Sequence, residues 1–532
     1  MRAVEETNPP RIVVGSSYQL NKKLRDWRFN QNQSMISILA CICLLVSLHS
    51  SLALLQPCDK CELHVAAAIG DTRALTKALT KALVQQRLVN QPDINGKSPL
   101  FLAVESRSTA AVQLLLKQPG IDVDAVSYLS GATPLFVSVA QREMLLLLLA
   151  AGADATITTK AGESVLQEAA RLNFEGVVEP LLISSQIVRQ SINVPSPSTG
   201  QTPLHMAAEH GNLNNVRVLL EKDGGFADCN VRIQTSGATA LLLSAASGSV
   251  EVVRHLLKTC DGIDMDASDS QEWTPFMAAA RIGQVDILRL LLDYKKDEIA
   301  RANLLNHMTE SKTQTALIVA VHESQRHVVQ FLLQQPLIKH DSHVLGGWNA
   351  LMVACETGDV GIVEDLLNQN QKDNGASNRA LRKNGWSTLH TATAGGFTKI
   401  VRALMRHTTT NLLNLEGKDA HTPLSLAAWN NYVDIVHLYI QDGRTNLNHQ
   451  IHEKRSMTAL HLAAQRGHLD VVRALTESKR VDISLESIDR LTALDVSRKN
   501  KNQFVGKFLS RLTMDKERKE SEKGRKKRTI DL

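Results

Sequence analysis

The sequence predicts an all-α solenoid of paired antiparallel helices with turn fingers between them, and three observations carry that prediction. The string Thr202-Pro-Leu-His-Met-Ala-Ala-Glu-His-Gly211 returns as Thr458-Ala-Leu-His-Leu-Ala-Ala-Gln-Arg-Gly467 and, shortened, as Thr422-Pro-Leu-Ser-Leu-Ala-Ala428. About ten residues after each copy, patterns such as Val252-Val-Arg-His-Leu-Leu257 place apolar residues at helical spacing. The 532 residues are 43% hydrophobic yet only 4% aromatic, which suits many small stacked cores better than a few globular ones.

Residues 1–34 form a polar, basic leader of formal charge about +3, read as disordered. Residues 35–55, MISILACICLLVSLHSSLALL, carry no Asp, Glu, Lys or Arg and are long enough to cross about 30 Å of hydrocarbon as a helix. With Lys22, Lys23, Arg25 and Arg28 upstream, this segment reads as a signal-anchor. The polar His49-Ser50-Ser51 and the small residues of Ser51-Leu52-Ala53 fit a cleaved signal peptide, and burial as a helix of a degenerate extra repeat is the third alternative. The first two place the chain at a membrane or on the secretory route, and the third leaves it cytoplasmic. No Asn after residue 60 lies in an N-x-[ST] sequon, which leans towards an unglycosylated, reducing compartment.

The solenoid occupies residues 56–512. Its motif Thr position falls at Cys61, Ser98, Thr133, Ser164, Thr202, Thr239, Thr274, Thr315, Asn349, Ser387, Thr422, Thr458 and Thr492, a spacing of about 36 residues over thirteen repeats. A Gly two residues earlier, as at Gly96 or Gly385, permits a turn with positive φ. The Thr or Ser then caps a helix, Pro suits its first turn, and a small pair such as Ala207-Ala208 lets a second helix pack closely. Residues 293–312 and 368–384 are expected loops. Thr492-Ala-Leu-Asp-Val-Ser497 opens a C-terminal capping repeat whose second helix turns Phe504, Val505, Phe508 and Leu512 inward. Residues 513–532 complete the chain as a basic tail, also read as disordered.

Residues 61–512 resemble the ankyrin-repeat family through the signature Gly-x-Thr-Pro-Leu-His-x-Ala-Ala, a Gly three residues later, then Val-Val-x-x-Leu-Leu. Ser164-Val-Leu-Gln167 and Thr315-Ala-Leu-Ile318 lack the Pro and the His, and are expected to be looser repeats. The resemblance implies that His64, His205, His390 and His461 hydrogen-bond to turns rather than hold metal. It implies a protein–protein scaffold or adaptor.

Chemistry for catalysis is not found in the sequence. No GxxxxGK[ST], GxGxxG, GxSxG or HExxH occurs, and the repeats leave no room for a catalytic domain, so the expectation is no enzyme, no cofactor and no metal. Cys58-x-x-Cys61 is open to a metal site, a disulfide or no special role, and Cys229, Cys260 and Cys355 read as reduced core residues. The neutral body offers no nucleic-acid groove. Protein partners are expected, with the membrane possible through residues 35–55. A secreted or membrane-anchored effector is one alternative. A nuclear regulator using Arg525-Lys-Lys-Arg528 is the second, against a plain solvated tail.

The candidate partner site comes from tryptophan. Trp273, Trp348 and Trp386 each stand just before the motif Thr position, where the resemblance places partner contacts, and Trp429 follows Ala427-Ala428 on the expected concave side. With Arg281, Glu356 and His421 beside them, they mark repeats seven to eleven. The alternative is that each indole packs over a neighbouring turn.

Overall fold

A computed structural model describes residues 62–83, 89–221, 227–372, 381–451 and 456–530. The leader, residues 35–55, Cys58 and Cys61 lie outside them. The chain divides into two compact blocks, Met1–Lys296 and Asp297–Leu532. Among the described residues each block consists of helix pairs, with isolated bridges such as Val344 to Trp348 in place of named strands. No helix among them is long and apolar enough to cross a membrane.

Local chemistry sets each pair. At the motif positions from Ser98 to Thr492 the residue is extended and immediately precedes the first helix, and in most its side-chain oxygen accepts the N–H three residues on, as Thr274 does from Met277 and Asn349 from Met352. Such a cap is worth about 1 kcal/mol. First helices stack on first helices and second on second within a block, through fully buried small residues such as Ala207, Ala279, Ala354 and Ala463. Neighbouring fingers join by backbone bonds, Tyr128 N–H to Asn95 O at 3.0 Å in the first block and Lys383 N–H to Gly346 O at 2.8 Å in the second. Gly347, at φ 81°, shows why a glycine stands there: a Cβ would sit 2.8 Å from the Leu381 carbonyl of the next finger. Where Gly is missing, Glu272, Ala420, Ser456 and Arg490 adopt the same left-handed turn, with φ between 55° and 65°.

A second tie runs beneath the fingers. Asn414 Oδ1 accepts from Asn446 N–H at 2.7 Å while its Nδ2 donates to Arg444 O, and Asn448 repeats both bonds with Asp482 and Arg480. Asn90 and Asn230 do the same in the first block.

Several expectations change. The Ser164 repeat is not loose: Gln167 closes the capping box and its Nε2 reaches Val194 O, replacing both bonds of the absent His. The expected loop 293–312 contains a helix, Glu298–Leu305, capped by Asp297. In the last helix Val505 is buried as expected and Phe508 and Leu512 are partly buried, but Phe504 is 79% exposed and Leu509 is buried in addition. That helix runs Gln503–Ile530. Lys, Glu and Arg, frequent in it, are strong helix formers. Cys229 and Cys260 are not separate thiols; the pair forms a disulfide with Cα atoms 6.3 Å apart. The fold brings the finger of Cys229 beside the end of the helix Val250–Thr259, which sequence spacing does not reveal. Cys355 stays a free, buried thiol, its ionisation pushed up by desolvation.

Candidate functional site

The turn histidines are structural. His205 Nδ1 lies 2.8 Å from Thr202 Oγ1 and its Nε2 is 2.9 Å from Val231 O of the next finger; His390 and His461 repeat this with Ser387 and His421 O, and with Thr458 and Leu491 O. Burial holds all three below the ordinary histidine range, His390 at about 4. His64 makes the corresponding bond to Gln91 O at 2.7 Å. No group of three or more His, Cys, Asp or Glu among the described residues is placed to hold a metal ion.

Trp273 and Arg281 belong to the first block. The finger fixes Trp273 through its N–H to Asp269 Oδ1 at 2.8 Å, and the Arg281 guanidinium lies 5.0 Å from the indole centroid. Arg281 stands two residues past the buried Ala279, on the exposed side of the helix Pro275–Ile282.

The other five candidates lie in the second block. Trp348 ends the finger that leads into the helix Ala350–Thr357, with Val344 N–H bonded to its carbonyl at 2.8 Å. Arg382 of the following finger lies over its ring at 3.7 Å and over Trp386 at 5.7 Å, so one guanidinium joins two indoles. Trp386 Nε1 donates to Asp419 Oδ1 at 3.1 Å, and its ring stacks on His390 at 6.0 Å. Glu356 is exposed at the end of its helix; desolvation raises its carboxyl above the usual range, with Arg382 and His322 opposing the shift. His421 is buried, its ring 5.9 Å from Trp429 and its Nδ1 3.1 Å from Ser425 Oγ. Arg466 lies over Trp429 at 3.8 Å.

The second block therefore brings Trp348 and Trp386 together, and His421 with Trp429, and each indole is partly exposed. Sequence reasoning missed Arg382, Arg466 and Asp419. Arg382 stands four residues before Trp386 and Arg466 eight after Thr458, both at positions that the motif leaves variable. Only the recurrence of Trp at neighbouring variable positions hinted at them.

Comparison with known proteins agrees with this architecture. The family model described as "Ankyrin repeats (3 copies)" matches residues 63–159, 135–233, 224–303, 296–378, 351–451 and 424–520. The chain is 25% identical over 445 residues to human Transient receptor potential cation channel subfamily A member 1, covering 76% of this chain and 38% of that one. It is 30% identical over 242 residues to Ankyrin repeat and KH domain-containing protein mask-1 of Caenorhabditis elegans, 44% of this chain and 8% of that one. It is 28% identical over 231 residues to the chicken Nuclear factor NF-kappa-B p105 subunit, 42% of this chain and 22% of that one. The chain thus spans well under half the length of each. With twelve described caps in register and the family model matched from residue 63 to residue 520, the chain belongs to the ankyrin-repeat family.

Proposed function

We propose that this chain is a non-catalytic scaffold that binds a protein partner through the tryptophan-bearing fingers and first helices of its second block. The observation that supports it is that Trp348, Trp386 and Trp429 occupy three consecutive repeats and each stays partly exposed, Trp429 while also packing against the buried Ala420, Ile451 and Leu462. Trp and Arg are the residue types most enriched where binding energy concentrates. Trp348→Ala and Trp386→Ala are each expected to weaken binding to a partner captured with the unaltered chain by about 2 kcal/mol, with little change in melting temperature. Lowered stability with affinity intact would instead assign the indoles to local packing over Arg382 and Asp419.

Residues 35–55 would give this scaffold a membrane-targeting element. Their deletion is expected to move the protein into the soluble fraction without altering the circular dichroism of the repeats; unchanged fractionation would argue that the segment is buried against the repeats.

A further inference from the structure

The guanidinium of Arg382 is held without being used. It is half-buried, with its Cζ 3.7 Å from the Trp348 ring centroid and 5.7 Å from that of Trp386, yet among the described residues it has no hydrogen bond and no ion pair. Glu356 is close enough to feel its charge but does not close on it. Arg466 repeats the arrangement on Trp429 at 3.8 Å, also with no hydrogen bond or ion pair among the described residues. A guanidinium held over an indole keeps its N–H edge available, and that edge matches the two oxygens of a carboxylate. Holding the group in advance removes part of the ordering cost of binding. The other indole contacts are satisfied inside the chain, since Trp386 Nε1 donates to Asp419.

We propose that Arg382 and Arg466 are paired receptors for two carboxylates of one extended, acidic segment of a protein partner. This rests on the scaffold reading above and names the chemistry of its partner. Arg382 sits between the fingers of repeats nine and ten, and Arg466 between repeats eleven and twelve. Two repeats at about 8–10 Å per packed helix layer give a separation of roughly 16–20 Å. At about 3.3 Å per residue an extended chain covers that in five or six residues, and because successive side chains alternate faces, a spacing of six turns both acidic side chains to the same surface. Glu356 lies near Arg382, and Asp419 accepts from Trp386 Nε1 beside it. They oppose a continuous run of phosphates more than two isolated carboxylates, and this favours an acidic peptide over a nucleic acid.

The test uses the full chain and fluorescein-labelled synthetic peptides of Ser, Ala and Pro carrying two Glu residues two, six or ten positions apart. Their Gln counterparts and a single-stranded oligonucleotide complete the set, read by anisotropy and by tryptophan emission. The six-position peptide is expected to bind at least tenfold tighter than its Gln version and than either other spacing. Arg382→Lys and Arg466→Lys keep the charge but lose the planar fork, and each should weaken that binding about tenfold with an unchanged melting temperature. Equal binding by the Lys variants, by all spacings or by the oligonucleotide would overturn the proposal, as would no binding by any Glu peptide. If the Trp→Ala variants lose a captured partner that both Lys variants retain, the scaffold reading stands and this inference fails.

Discussion

His390 ties three pieces of chain together: its Nδ1 accepts the Ser387 N–H, its Nε2 reaches His421 O of the next finger, and its ring stacks on Trp386. The same atoms explain a pH response. Buried and neutral, the imidazole has a folded pKa of about 4 against an ordinary 6.5, so the unfolded chain binds the extra proton first. Stability from this group is therefore full above about pH 6.5 and falls as the pH drops towards 4, by about 2 kcal/mol at pH 5. His205 and His461 shift the same way and add to the trend. Urea unfolding of the second block at pH 7 and pH 5 should show the loss, and His390→Gln should be less stable at pH 7 but flatter with pH. An identical slope in that variant would remove His390 as the source. The role of this residue was legible because the motif names it. Arg382 was not, since nothing in its local sequence says which indole of another repeat it will meet.

At the scale of one helix pair, the motif was readable wherever a single residue type is required by backbone geometry: the capping Thr, the small pair, the turn glycine. Substitutions by chemical equivalents hid the same interactions, as Gln167 does for histidine. The Asn ties escaped because their partners are backbone groups of the next repeat, and no side-chain pattern marks a carbonyl. In the last helix Val505 was read correctly, while Phe504 was misplaced because a large apolar residue at the helix start suggested burial and the covered surface takes Leu509 instead. The small pair offers the direct test of register. Ala207 and Ala463 are fully buried where adjacent first helices meet. Replacing either with Leu has no cavity to enter and should cost about 1–3 kcal/mol. Melting curves that do not move would show that the helices are spaced more widely than their burial implies.

For the whole chain, a repeat stack is held by nearest-neighbour burial, so any run of several complete repeats carries its own core. The division between Lys296 and Asp297 falls inside the longest gap between motif positions, from Thr274 to Thr315, where the helix Glu298–Leu305 is added ahead of a finger that is itself kept, with Thr309 N–H bonded to Gln314 O. Each side of that division has its own buried aliphatic residues, Leu256, Ile287 and Leu291 before it, Val328, Leu332 and Ile362 after it. Each side also has its own finger bonds and Asn ties. The spacing anomaly was visible in the sequence; that it marks a boundary was not, because a loop and a helix of equal length leave the same gap. Residues 57–296 and 297–532, produced separately, are therefore expected to be helical and to melt cooperatively. Exposed Lys296 makes the boundary open to trypsin under native conditions. Fragments that are unfolded alone and recover structure only when mixed would mean that neither block completes its own core.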